Sequence, residues 1–147
     1  MTIAETFWTE LYARLVEPPT FGVDLANIKR YHRTKVTRDT APAIHVVEGL
    51  ALPGADKGCS WKWKMDGRIE VYVRDDTALS AADAILAEIV RRINPEVGTV
   101  YSNDVRLTLE RIEPDTEIAD LDATKVDISI LIAFSTQRWT LDVPGNE

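Results

Sequence analysis

Apolar side chains near the N-terminus recur at helical intervals, with Phe7, Trp8, Leu11, Tyr12 and Leu15 on one stripe. Thr2 and Glu5 stand ahead of it at capping-box spacing, which satisfies backbone N–H groups left without partners in a first turn. Pro18-Pro19 ends the helix, because proline lacks a donor and restrains the residue before it. Residues 28–38 (IKRYHRTKVTR) are rich in β-branched and aromatic types and predict a strand with a basic face. A second strand is predicted at 42–48 (PAIHVVE), with proline tolerated where a strand begins. A Gly/Pro-containing loop is expected from Gly49 to about Ser60. The clearest strand signal follows. Trp61, Trp63, Met65, Ile69, Val71 and Val73 share one parity, while Lys62, Lys64, Asp66, Arg68 and Glu70 take the other. Gly67 interrupts the apolar parity and is expected to mark a bulge or bend.

A second amphipathic helix is predicted from about Ser80 to Asn94, with Ala82, Ile85, Leu86, Ile89, Val90 and Ile93 as its apolar stripe. Arg91 and Arg92 suit its C-terminal dipole, and Pro95 ends it. Two strands close the pattern, one on Val105, Leu107 and Leu109, the other on Val126, Ile128, Ile130, Ile132 and Phe134. The acidic connection EPDTEIADLDA lies between them. The order α-β-β-β-α-β-β predicts an α+β domain: a mostly antiparallel β-sheet packed against two α-helices on its apolar face. Its best-defined parts are the hairpin-linked strands around 42–74 and 105–139.

Length and composition fit that picture. At 147 residues, with 45% hydrophobic and 28% charged side chains, residues 1–147 are expected to form a single domain with a core of its own. No apolar run reaches the roughly 18 residues a membrane helix needs. The N-terminus, with Glu5 and Glu10, lacks the order of a signal peptide. The lone cysteine, Cys59, has no internal partner for a disulfide, which suits cytosolic synthesis. The net charge of −7 argues against a dedicated nucleic-acid binder. It is unevenly placed: residues 1–74 hold 11 basic and 9 acidic side chains, residues 75–147 hold 6 and 15. The halves therefore carry +2 and −9.

Candidate chemistry is sparse. Asp115, Glu117, Asp120 and Asp122 are potential oxygen ligands, but no glycine provides the sharp turn of a calcium loop, so a solvated loop or contact patch is favoured. His32 and His45, 13 positions apart, lack partners at metal-ligand spacing and read as sheet-surface histidines. Cys59 and Ser60 sit in no nucleophile motif, and no phosphate-binding glycine loop or zinc knuckle occurs. The stretch Lys29-Arg30-Tyr31-His32-Arg33-Thr34-Lys35 has only two rings with which to stack bases, so a solvated face or an intersubunit contact is preferred. Trp61 and Trp63 continue an apolar face and are expected in the core. No catalytic, cofactor or metal residues are assigned.

The order of elements and several segments resemble the tail-terminator proteins of long-tailed bacteriophages, the minor tail protein U group. The resembling features are the N-terminal helix, the strand Pro42-Ala43-Ile44-His45-Val46-Val47, and the Trp-containing strand from Trp61 through Ile69-Glu70-Val71-Tyr72-Val73. To these are added the helix from Asp75 to Ile93 and the closing Asp127-Ile128-Ser129-Ile130-Leu131-Ile132. The likeness covers most of residues 3–135. The basic strand at 28–38 and the tail after Trp139 have no counterpart in it.

The resemblance implies a non-enzymatic virion component. Six copies would form a ring on the last ring of tail-tube protein, stop tube growth, and present a surface to the head-side neck protein. DNA would only pass through the hole, no membrane would take part, and the protein would reside in the virion tail after assembly in the bacterial host cytoplasm. A cyclic ring joins one patch to a different patch on the next copy. Lys29, Arg30, Arg33, Lys35 and Arg38 are therefore expected to face Glu113, Asp115, Glu117, Asp120 and Asp122 across subunits. The alternatives are another neck or tail-completion protein, or a small nucleic-acid-binding regulatory module that uses the basic strand.

Overall fold

Thr2 caps the first helix as the sequence predicts: its hydroxyl accepts the Glu5 backbone N–H at 2.9 Å. The computed structural model describes residues 2–30, 36, 40–57, 60–74, 79–96, 100–114 and 123–137. Helix α1 spans Ile3–Val16 and buries Phe7, Trp8, Leu11 and Leu15. Strand β1 (Ile28–Lys29) is followed by β2 (Ala43–Glu48), β3 (Leu52–Lys57) and β4 (Ser60–Arg74). Helix α2 (Leu79–Ile93) leads to β5 (Val100–Tyr101), β6 (Val105–Pro114) and β7 (Ala123–Gln137). The fold is α+β, with two helices and a mostly antiparallel sheet, as the alternation of patterns predicts.

Among the described residues the sheet has seven strands, ordered β1-β2-β4-β7-β6-β5, with β3 also on β4. Among the described strands, β1 and β2 alone run parallel. The long pair β4 and β7 keeps unbroken register from Ser60↔Gln137 to Arg74↔Ala123. One parity of this pair, with Met65, Ile69, Val71, Ile128, Ile130 and Ile132, joins Phe7, Trp8, Leu11, Ile89 and Ile93 of the helices in the main core. Trp63 belongs to it, as expected: it stacks on Phe134 with ring centroids 6.1 Å apart and donates its Nε1–H to Thr136 Oγ1 at 2.8 Å.

Three expectations change. The predicted loop 49–60 contains β3, because β2 and β3 lie end to end along the same edge of β4. Glu48 pairs with Gly67 and Leu52 with Lys64, so one extra residue is accommodated between them. Gly49 permits this: a Cβ there would come 1.7 Å from the Asp66 carbonyl oxygen. Gly67 itself pairs with Glu48 and Ile130, and the extra residue lies immediately beyond it, on the edge strands opposite Asp66 and Met65 rather than in β4. Its missing side chain makes room for Trp8, whose Cη2 would stand 2.4 Å from an added Cβ. Strand β1 covers only the first two residues of the expected 28–38 strand; 31–35 and 37–39 lie outside the described residues.

The helices are tied by a side chain. Arg92 of α2 reaches the end of α1 and donates to the carbonyls of Arg14 (3.2 Å), Leu15 (3.4 Å), Glu17 and Pro19 (2.5 Å). Its guanidinium lies over Phe21, 4.6 Å from the ring centroid. A helix end leaves carbonyls without intrahelical donors, and the planar fork of arginine satisfies several at once.

Candidate functional site

Sheet order separates the two charged regions of the sequence. The basic segment begins on β1, at one end of the sheet, and the acidic connection joins the ends of β6 and β7, toward the other. Register aligns one residue from each of five strands: Lys29, His45, Glu70, Asp127 and Glu113. Four strand spacings place Lys29 and Glu113 roughly 19 Å apart within one copy.

Of the ten residues expected at a subunit contact, three are described. Lys29 faces the side of the sheet away from the helices, in register with His45. Arg30 points the other way. Its side chain is 7% exposed and pairs with Glu5 at 2.9 Å and Glu48 at 2.5 Å. It also donates to Thr9 Oγ1 at 3.0 Å. Arg30 thus joins β1, β2 and α1 within one copy. Glu113 lies near the end of β6, 58% exposed, and pairs with Arg111 at 2.9 Å. Arg33, Lys35, Arg38, Asp115, Glu117, Asp120 and Asp122 lie outside the described residues, as do His32 and Cys59.

At the centre of the row is a buried polar network that alternation alone does not predict. Glu70 has the parity of a wet face, yet it is fully buried. Its Oε2 accepts from Lys125 Nζ at 3.1 Å and from Arg68 Nε at 3.0 Å, and its Oε1 accepts the Tyr72 hydroxyl at 3.0 Å. His45, expected on the surface, is 1% exposed, with Nδ1 3.9 Å from Glu70 and its ring edge-on to Tyr72. The cause is a second, small apolar cluster on this face, formed by Val36, Ala41, Ala43 and Tyr72. Burial pushes the Glu70 carboxyl up. Hydrogen bonds from Lys125 and Arg68, the charge of Lys125 and the Tyr72 hydroxyl together outweigh it and hold the carboxyl below the usual range. The available signal was register: Lys125 sits opposite Tyr72, one step diagonally from Glu70.

Beside this network the sheet face forms an open groove of roughly 850 Å³, whose walls include Arg68, Arg111 and Lys125 facing Glu113 and Asp127. Arg68 and Lys125 pair with Glu70 and Arg111 with Glu113, Lys125 also standing 3.7 Å from Asp127. Among the described residues, no three His, Cys, Asp or Glu side chains are grouped to hold a metal ion. No helix among them is long and apolar enough to cross a membrane. The arrangement suits recognition of a surface by shape and charge.

No protein-family model matches the chain, and no curated protein matches it in sequence. The fold is similar to that of a chain in the virion of a native gene transfer agent particle, with a TM-score of 0.59 and 13% sequence identity. The likeness covers 92% of this chain and 96% of that one. At this identity it is a likeness of fold.

Proposed function

We propose that this chain is a structural subunit of a phage-like particle and, within it, the tail terminator. Copies form a ring on the end of the tail tube, stop its polymerisation, and provide the surface to which the head-side neck protein attaches. The observation that carries this reading is the fold likeness over nearly the whole length of both chains to a component of a gene transfer agent virion. The sequence resemblance to tail terminators supplies the position along the particle.

The charge layout supports a ring. Head-to-tail closure needs two unlike patches placed apart on one subunit. Here the basic and acidic segments leave the sheet from well-separated strands. In this reading Lys29, with Arg33, Lys35 and Arg38, belongs to one patch; Glu113, with Asp115, Glu117, Asp120 and Asp122, belongs to the other. Arg30 acts chiefly within its own copy, through Glu5 and Glu48.

The test is to add the purified protein to polymerising tail-tube protein and image the product by negative-stain electron microscopy. Termination predicts rings at tube ends and a fall in mean tube length as the protein is added. Tubes of unchanged length with bare ends would contradict it. Binding to a neck complex in place of tube ends would move the assignment to another neck or tail-completion protein.

A further inference from the structure

The half of the sheet face beyond the Glu70 network has cations that no described residue of the same copy neutralises. Lys62, Lys64 and Arg106 are exposed, share the face away from the helices, and pair with no described acid. Lys64 and Arg106 lie in one row, both aligned with Ala133 of β7. Asp66, also exposed, follows Lys64 on the next outward row of β4, opposite Leu131. The Lys64 row ends in apolar surface at Leu52, which is 58% exposed, and Leu50, two residues before β3 begins, is 77% exposed. Cations beside exposed leucines, in a chain of net charge −7, call for an anionic partner with apolar side chains of its own.

The chain contains such a segment. Residues 113–122 carry Glu113, Asp115, Glu117, Asp120 and Asp122, interleaved with Ile118 and Leu121. It cannot cover the patch in its own copy. Pro114 pairs with Val126, which pairs with Val71, and Lys64 stands seven residues back along β4. That is about 24 Å at strand rise. The eight residues 115–122 start and end on neighbouring strands, so their midpoint extends at most about 14 Å.

We infer that Lys62, Lys64 and Arg106, with Leu50 and Leu52, form the docking surface for the acidic segment 113–122 of a second copy. The inference rests on the ring reading but replaces the basic patch at 29–38 with this surface as the one that receives the acidic segment. Docking here brings the β6–β7 end of one subunit onto the middle of the next subunit's sheet face.

The experiment titrates a synthetic peptide of residues 113–124 into the isotopically labelled full chain and follows backbone amide shifts by NMR. Shifts are expected at Leu52, Lys62, Lys64 and Arg106, with affinity falling as salt rises from about 50 to about 300 mM. K62E/K64E/R106E should weaken binding roughly tenfold, the combined effect of three exposed ion pairs. L50S/L52S, which leaves every charge in place, should weaken it as well. Absence of shifts at about 1 mM peptide, where contacts of only ~4 kcal/mol still register, would overturn the inference. So would shifts centred on Lys29, or a DNA oligonucleotide that outcompetes the peptide for the same amides. None of these results bears on tail length, so the ring reading stands or falls separately.

Discussion

The indole of Trp8 occupies the space that a side chain at Gly67 would fill: an added Cβ would lie 2.4 Å from Trp8 Cη2 and 3.2 Å from the Val47 carbonyl oxygen. Trp8 itself is 2% exposed. A helix residue and a strand residue 59 positions apart in sequence are thus matched in shape.

Gly67→Ala should therefore destabilise the fold by about 1–3 kcal/mol, the usual cost of overpacking a core. In the double variant W8F/G67A, the smaller ring should recover part of that loss. Urea midpoints of the two single variants and the double measure the coupling. Strict additivity would contradict the contact.

Arg92 binds the end of α1 through the carbonyls of Arg14, Leu15, Glu17 and Pro19. Arg92→Ala should cost about 3 kcal/mol, because one buried and three part-buried carbonyls lose a charged donor. Arg92→Lys should restore little of it, since an ammonium lacks the planar fork. Hydrogen exchange should show the last turn of α1 losing protection in both variants.

Glu70 is an acid held below its usual pKa of 4.5 by Lys125, Arg68 and Tyr72, against the upward push of burial. Because the folded state favours its ionised form, its contribution to stability is present above about pH 4.5 and is lost as pH falls below that. Glu70→Gln should cost about 3 kcal/mol at neutral pH, as removal of one partner strands a buried charge. The variant should also lose less stability than the parent between pH 5 and pH 3. Parallel acid-unfolding curves would contradict this.

The Tyr101 hydroxyl donates to the Ile93 carbonyl at 2.6 Å, and burial pushes its pKa up to about 12. The folded state favours the protonated form. This stabilisation is complete below pH 10 and lost between pH 10 and about 12. Tyr101→Phe should cost about 1 kcal/mol at neutral pH. It should also remove the part of the 295-nm absorbance rise that lies near pH 12.

The helices and the long strands are legible because their burial is one-sided. Trp63, Met65, Ile69, Val71 and Val73 all face the helices, as their alternation requires. Strand β3 is hidden because Pro53 and Gly54 suit a loop, yet on the outer side of β4 a missing N–H and a missing side chain cost little. Glu70 and His45 are misread for a different reason. Alternation assumes that one face is wet, whereas Val36, Ala41, Ala43 and Tyr72 build a second apolar cluster over it. The charge asymmetry between halves is visible as composition. That Arg30 turns toward Glu5 and Glu48, while Lys62, Lys64 and Arg106 remain open, depends on register between distant segments.

The central claim, termination of a tail tube, is tested most directly by tail length in particles assembled without this protein. Electron microscopy of those particles should show tails longer than normal, variable in length and not joined to heads, with complementation by the intact chain restoring uniform length. Tails of normal length joined to heads would contradict the account.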